Sequence, residues 1–418
     1  MEDYIPKKPL LASRDSHLSN ELLALLFIGL LSNNIGQAFV YAVLPPLGRS
    51  VGLNEIRITA IISMSALIVT LTAPIWGKLS DKSGRKPIIL IGILGYSIGS
   101  LAFASIFNLA KNGLISGLLL FVLALLVRSF QAATMSATNP GCMAYAADHT
   151  SADNRTKTLA RLTSASSIGM ILGPVLAGIF AHLGLLTPLV AASFLSAIAA
   201  VIIVVKLPNS RTSVSTGDRS KRANIGYFDC RVRPYITSAI GAFTGFAMLQ
   251  QTLAFRLQDD FGLTGAETAQ YTGWAMMTSA SAMLLIQLVV SQRSIRPPMD
   301  LVRWGAGLLA GGTLAISFLS SWASILGSML LVGSGLGLLM PAVASGASLA
   351  VNQQEQGGVA GLVAACPAAG FVIGPLVGGA LYQYSAPSAT LVAALILVIV
   401  FFSTLTATVE LSKRSSGT

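Results

Sequence analysis

Apolar residues along this chain gather in long blocks separated by short polar stretches. Leu22 to Leu31, Leu114 to Val127 and Leu391 to Leu405 are examples. Blocks that fill out to roughly 20 residues match the hydrocarbon thickness when wound as helices. In lipid every backbone polar group must be paired inside its own segment, so such blocks are helical. The short alternating segments of a membrane β-barrel are not found. The pattern predicts spans at about 21–45, 57–79, 87–107, 114–138, 158–181, 186–206, 234–256, 268–290, 301–319, 324–349, 358–382 and 387–409. Residues 1–20 are mixed polar and charged, without the basic-then-apolar order of a secretory signal. The first apolar block is therefore expected to stay in the mature protein.

The polar stretches carry the orientation. With the N-terminus placed in the cytoplasm, only Arg49, Arg57, Lys111 and Arg256 fall in outside loops, and nearly all other Lys and Arg fall inside. This asymmetry predicts a multi-pass protein with both termini cytoplasmic, in the plasma membrane (the inner membrane of a bacterium). The Ser-, Arg- and Lys-rich stretch from Pro208 to Arg233 reads as a flexible linker. The expected divisions are a cytoplasmic tail at 1–20, a six-helix bundle at 21–206, a linker at 207–233, a second bundle at 234–410 and a tail at 411–418. Span five and span eleven repeat one another. Gly169-Met-Ile-Leu-Gly173-Pro174-Val-Leu-Ala-Gly178 is matched 201 residues on by Gly370-Phe-Val-Ile-Gly374-Pro375-Leu-Val-Gly378-Gly379. The fold class expected is an all-α integral membrane protein, twelve helices in two pseudo-symmetric six-helix bundles.

Composition agrees: 53% of residues are hydrophobic and 10% charged, against about 25% charged in a soluble domain. The net charge of +11 sits in short loops between spans, which points to a cationic membrane face and not to nucleic acid. Cys142, Cys230 and Cys366 are too scattered for a metal site or a disulfide frame.

Gly77-Lys-Leu-Ser-Asp81-Lys-Ser-Gly84-Arg85-Lys86-Pro87 lies between spans two and three. It resembles the signature loop of the major facilitator superfamily, G-x-L-a-D-r-x-G-r-k. Gly84 suits a tight turn and Pro87 the first turn of a helix. The resemblance implies a conformational switch formed by Gly77, Asp81, Gly84, Arg85 and Lys86. Asp81 would dock on the other half, near Gly357-Gly358 at the start of span eleven, when the outer side is open. The second-half counterpart keeps little beyond Arg296 and Pro297, so the latch is expected to be one-sided.

The repeated Gly-Pro element resembles the family's antiporter motif, G-x-x-x-G-P-x-x-G-G, typical of exporters exchanging substrate for protons. Gly169, Gly173, Pro174, Gly178, Gly370, Gly374, Pro375 and Gly378 are expected to pack the outer gate, since small residues at spacing four let helices approach closely and Pro174 should bend its helix. Arg128 and Gln131 in span four match a further family pattern, l-x-x-R-x-x-Q, although Ala132 and Thr134 replace its glycines. An intramembrane charge is a functional-site hypothesis by default. Arg128 is expected to take part in proton coupling or to hold an anionic group, and otherwise to be a structural Arg bonded to span one. Asn33, Gln37 and Tyr41 fall at helical spacing beside Asn34. The resemblance makes spans one, four, seven and ten line a cavity, so this stripe is expected to face Arg128 across it. Phe246, Gln250, Gln251, Trp274, Met276 and Met277 complete the candidate site.

All 16 acids fall in loops, tails or span ends, where drug-exporting relatives often carry a buried carboxylate in span one or seven. The expected function is a secondary active exporter of small organic molecules working by alternating access, multidrug-like, with protons as the coupling ion. The alternatives are export of an acidic metabolite such as a carboxylate siderophore, or a non-transporting receptor on the same fold. The partners expected are a small-molecule substrate, protons and the bilayer, with no nucleic acid, cofactor or metal, and the state expected is a monomer. His17, His149 and His182 form no catalytic grouping, which argues against an enzyme, and no selectivity-filter loop argues for a channel.

Overall fold

The computed structural model describes residues 19–209, 229–293, 296–318, 321–352 and 355–415. Most of the N-terminal tail and the linker, and the end of the C-terminal tail, lie outside the described residues. The described chain is helical, with no strand. The helices are α1 (Asn20–Ser50), α2 (Glu55–Ser83), α3 (Arg85–Lys111), α4 (Gly117–Met135), α5 (Thr138–Asp148), α6 (Ala152–Ala181), α7 (Thr187–Lys206), α8 (Arg233–Phe261), α9 (Gly265–Arg293), α10 (Pro298–Phe318), α11 (Trp322–Leu349), α12 (Gln356–Tyr384) and α13 (Ala386–Ser415).

Among the described residues, eleven crossings are long and apolar enough to span a bilayer, with α4 and α5 forming one of them over Gly117–Asp148. The twelfth is α8, 29 residues long but interrupted by Gln250, Gln251, Arg256, Asp259 and Asp260. Large side chains such as Ile98, Leu118, Val205 and Leu395 are exposed and form the lipid-facing surface.

Several helices run five or six residues past the expected bounds, α6, α8 and α13 among them, and at two spans the difference has an identifiable cause. Span one was expected to stop at 45, but α1 runs on through Pro45 and Pro46 to Ser50. A membrane helix tolerates such prolines when neighbouring helices cover the freed backbone groups, and both prolines are buried. Span four was expected at 114–138, with a loop after it. It continues as α5 to Asp148 after a break at Ser136 and Ala137. Pro140 lacks an N–H and its ring opposes the carbonyl of residue 136, so the ladder is interrupted there and then resumes. The turn expected at Gly84 is present, with φ at 90°, a conformation that favours glycine.

Helices α1 to α7 form one half and α8 to α13 the other. Across the halves, α2 packs on α12 and α6 on α9. The two ends of the bundle differ. At the basic end, which carries Lys78, Lys82 and Arg161, glycines 77, 357 and 361 face open space. At the opposite end, Gly379 presses on Thr59, Gly178 on Gln270 and Gly273 on the Pro174 carbonyl, each pair crossing between halves. The halves touch at the opposite end and stand apart at the basic end.

Candidate functional site

A cavity of about 430 Å³ lies between the halves. Asn34, Gln37 and Tyr41 of α1 face Phe243, Phe246 and Gln250 of α8 across it. These positions correspond one for one at an offset of 209 residues, so equivalent helices supply equivalent positions with different chemistry, amides and a phenol from one half and mainly aromatic rings from the other. The Tyr41 ring stacks on Phe371 of α12 at 5.8 Å and 19°, and Phe371 meets Phe246 edge-on at 6.4 Å. Met170, Met276, Met283 and Met340 complete much of the apolar wall.

Helix α4 does not line the cavity, contrary to the expectation for span four. The lining comes from α1, α6, α8, α9, α11 and α12. Arg128 is 1% exposed. Its Nη2 donates to Gln37 Oε1 at 2.5 Å and its Nη1 to Gln131 Oε1 at 2.5 Å. Gln131 in turn donates to the Tyr96 carbonyl. Arg128 thus stands one side chain behind the wall and orients Gln37, instead of facing the stripe across open space. Asn34 donates to Ser166 of α6. Asn33 is buried away from the cavity, because a residue adjacent to Asn34 is rotated about 100° around the helix. The same rotation separates Gln251, fully buried elsewhere, from Gln250. Trp274 is 38% exposed and joins Tyr271 and Trp322 in an aromatic group, with centroids 5.4 and 6.3 Å away. Like Met277, it lies outside the lining, and only Met276 of that group contributes. Thr272, Ser279 and Gln287 of α9 and Phe371 of α12 were missed, because isolated polar or aromatic residues in an apolar span give no periodic signal.

The glycine motif divides its labour symmetrically. Gly169 and Gly173 abut Asn34, Ile35 and Ala38 of α1, while Gly370 and Gly374 abut Phe243, Thr244 and Ala247 of α8. These contacts stay within each half. Gly178 and its repeat partner Gly379 are the ones that reach across. Gly378, expected at the gate, instead packs on Met248 and Thr252 of its own half.

Beside that contact Arg49, at the end of α1, forms a clasp. It donates to Asp259 of α8 at 2.6 and 3.0 Å and to Glu55 of α2 at 2.6 Å. Its guanidinium lies 4.8 Å from the Phe255 ring centroid. Tyr382 of α12 donates to Asp259 at 2.6 Å. At the basic end, the ion pairs of Arg85 and Arg231 each join residues of one half. Arg85 donates to Asp81 at 2.6 Å and to Asp148 at 2.7 Å, and Lys86 to the Val204 carbonyl. Gly357, at the expected dock for Asp81, faces open space. Arg231 joins Asp229 and Glu355 at 2.8 and 3.0 Å. Hydrogen bonds from Arg231 hold the Asp229 carboxyl at about 2 and lower that of Glu355. This clasp is ionised at neutral pH and is lost only as pH falls through those lowered values.

The sequence model of the Major Facilitator Superfamily matches residues 26–366. The chain belongs to the Major Facilitator Superfamily. Multidrug resistance protein 1 of Bacillus subtilis (strain 168) is 24% identical over 371 residues, covering 87% of this chain and 90% of that protein. The class B tetracycline resistance protein of Escherichia coli is 24% identical, covering 84% and 86%. Among solved structures, a bacterial homologue of the human lysosomal transporter Spinster, in an inward-facing and occupied conformation, superposes with a TM-score of 0.76 at 14% identity, covering 93% of this chain and 96% of that one. The human organic anion transporter MFSD10 gives 0.63 at 20% identity, covering 91% and 98%. The twelve-helix fold read from the sequence is that of this superfamily, whose members here are transporters and not enzymes.

Proposed function

We propose that the chain is a secondary active exporter of small organic molecules, working by alternating access and exchanging substrate for protons. The observation that carries this reading is a cavity between two half-bundles, clasped shut at one end and parted at the other. The excess of Lys and Arg at the parted end favours the cytoplasm for it, and with it loading of the cavity from inside. Two features favour export over uptake: the Gly-Pro element occurs in both halves, and the sequence relatives are named for drug and tetracycline resistance. Rocking the halves would part the Arg49 clasp and bring Asp81 towards α12.

The acidic-metabolite reading depends on a cation facing the cavity. Arg128 lies behind Gln37, so that reading is the weaker one. No carboxylate lines the cavity, which leaves Asp81 and Asp259 as acids placed where the halves must separate or meet. The test is flux in proteoliposomes under an imposed pH gradient. Substrate should move against an inward proton gradient and lose that drive when the gradient is collapsed. Flux indifferent to the gradient in both directions would rule out antiport, and substrate binding with no flux would favour a receptor.

A further inference from the structure

We infer that the cavity takes an uncharged, flat aromatic molecule that donates a hydrogen bond to Gln250, and that Arg128, acting from behind Gln37, turns cations away. The inference rests on the exporter reading for its role in transport and on the cavity alone for its ligand class.

None of the lining residues is Asp, Glu, Lys, Arg or His, so a ligand charge of either sign finds no ion partner on the wall. A full positive charge nevertheless stands one side chain away. Arg128 bonds to the lining residue Gln37 and pairs with no carboxylate among the described residues. With little water between them, an unneutralised guanidinium repels a second cation over a distance that solvent would otherwise screen. An anion is attracted by the same charge, but the guanidinium lies behind Gln37 and bonds to Gln131 and Gln37. The anion would have to shed its water in a cavity whose wall offers no direct ion partner, and the attraction offsets only part of that cost. Reaching the guanidinium would require pulling Gln37 out of the wall.

The cavity also shows what it lacks. Gln250 Oε1 and Thr272 Oγ1 are buried, belong to lining residues and have no hydrogen-bond partner. A buried acceptor left unpaired is unfavourable, and a ligand N–H or O–H satisfies it once the side chain turns that oxygen to the cavity. One lone pair of the Gln37 carbonyl is held by Arg128, which fixes the direction in which the amide can meet a ligand. Tyr41 and Phe371, one from each half, stack on one another, and a flat ligand can extend that stack on an outer ring face. The four methionines adapt to the outline of whatever ring system enters.

One scaffold supplies the probe in three charge states: N-phenyl-1-naphthylamine, which is neutral and carries one N–H, its sulfonate, and its trimethylammonium derivative. Equilibrium binding of the radiolabelled probes to the purified full-length protein at pH 8 is expected to favour the neutral one at least tenfold over either charged form. Gln250→Leu should weaken the neutral probe about tenfold. Gln250→Glu should raise affinity for the ammonium probe at least tenfold. The inference is overturned if either charged probe binds wild type as tightly as the neutral one, if Gln250→Leu binds all three unchanged, or if none binds a monodisperse, helical preparation. Flux of the neutral probe is scored separately. Binding without flux sinks the exporter reading and leaves the ligand class standing, while gradient-driven flux of all three forms alike does the reverse.

Discussion

Burying Arg128 in a membrane span costs roughly 2.5–3.5 kcal/mol on insertion scales. Its bonds to Gln37 and Gln131 return about 1.5–3 kcal/mol each, as hydrogen bonds to charged groups do. Arg128→Ala removes both the cost and the return, so the protein should remain folded and monodisperse. Gln37 loses its anchor, however, and transport should fall at least tenfold. Arg128→Lys keeps the charge but not the planar fork and should fall between the two, with a raised KM. Normal transport by Arg128→Ala would reduce the residue to a structural part. At this scale Gln37, Tyr41 and Gln250 were legible in the sequence, because polar residues at spacing three or four mark one helix face. Asn33 and Gln251 were misjudged because neighbours in sequence point about 100° apart, and only the packing of α1 and α8 sets which of two adjacent amides meets the cavity.

Helix α1 reaches the other half through the turn beyond Pro45 and Pro46. That extra turn carries Arg49 across to α8, where a bidentate, charge-assisted pair with Asp259 ties the halves together. Asp259→Asn keeps the shape and removes the charge, which should destabilise the clasped state by about 1–2 kcal/mol. Gly379→Leu should act in the same direction by pushing against Thr59. Both variants should increase labelling of Thr272→Cys by an impermeant maleimide applied from the Arg49 side, in a Cys230→Ser background, by several-fold over the parent. Unchanged labelling in both would show that the clasp does not hold that end. The crossing glycines were half legible. The repeat fixed their spacing, but whether Gly378 or Gly379 meets the other half depends on how α12 is rotated against α2.

For the whole molecule, the proposed rocking of the halves ties contact at one end to separation at the other. Spin labels at Ile75 and Gly361 report the basic end, and labels at Arg57 and Gly265 the opposite end. Adding substrate or changing the pH gradient should move the two distances in opposite senses. If both widen together, or one end opens while the other stays fixed, the halves do not rock as units.

The sequence by itself determined that the chain crosses a membrane twelve times in two related halves, because lipid accepts only helices of a certain length and apolarity and duplication leaves a visible offset. It also supplied the family through the loop at Asp81 and the repeated Gly-Pro element. Only the tertiary structure decided which face of each helix meets the cavity, that Arg128 stands behind Gln37, and that the Arg49 clasp is closed while the basic end is parted. Each of these depends on helix rotation and on the relation between halves, which arise from packing among distant segments and leave no periodic trace along the chain.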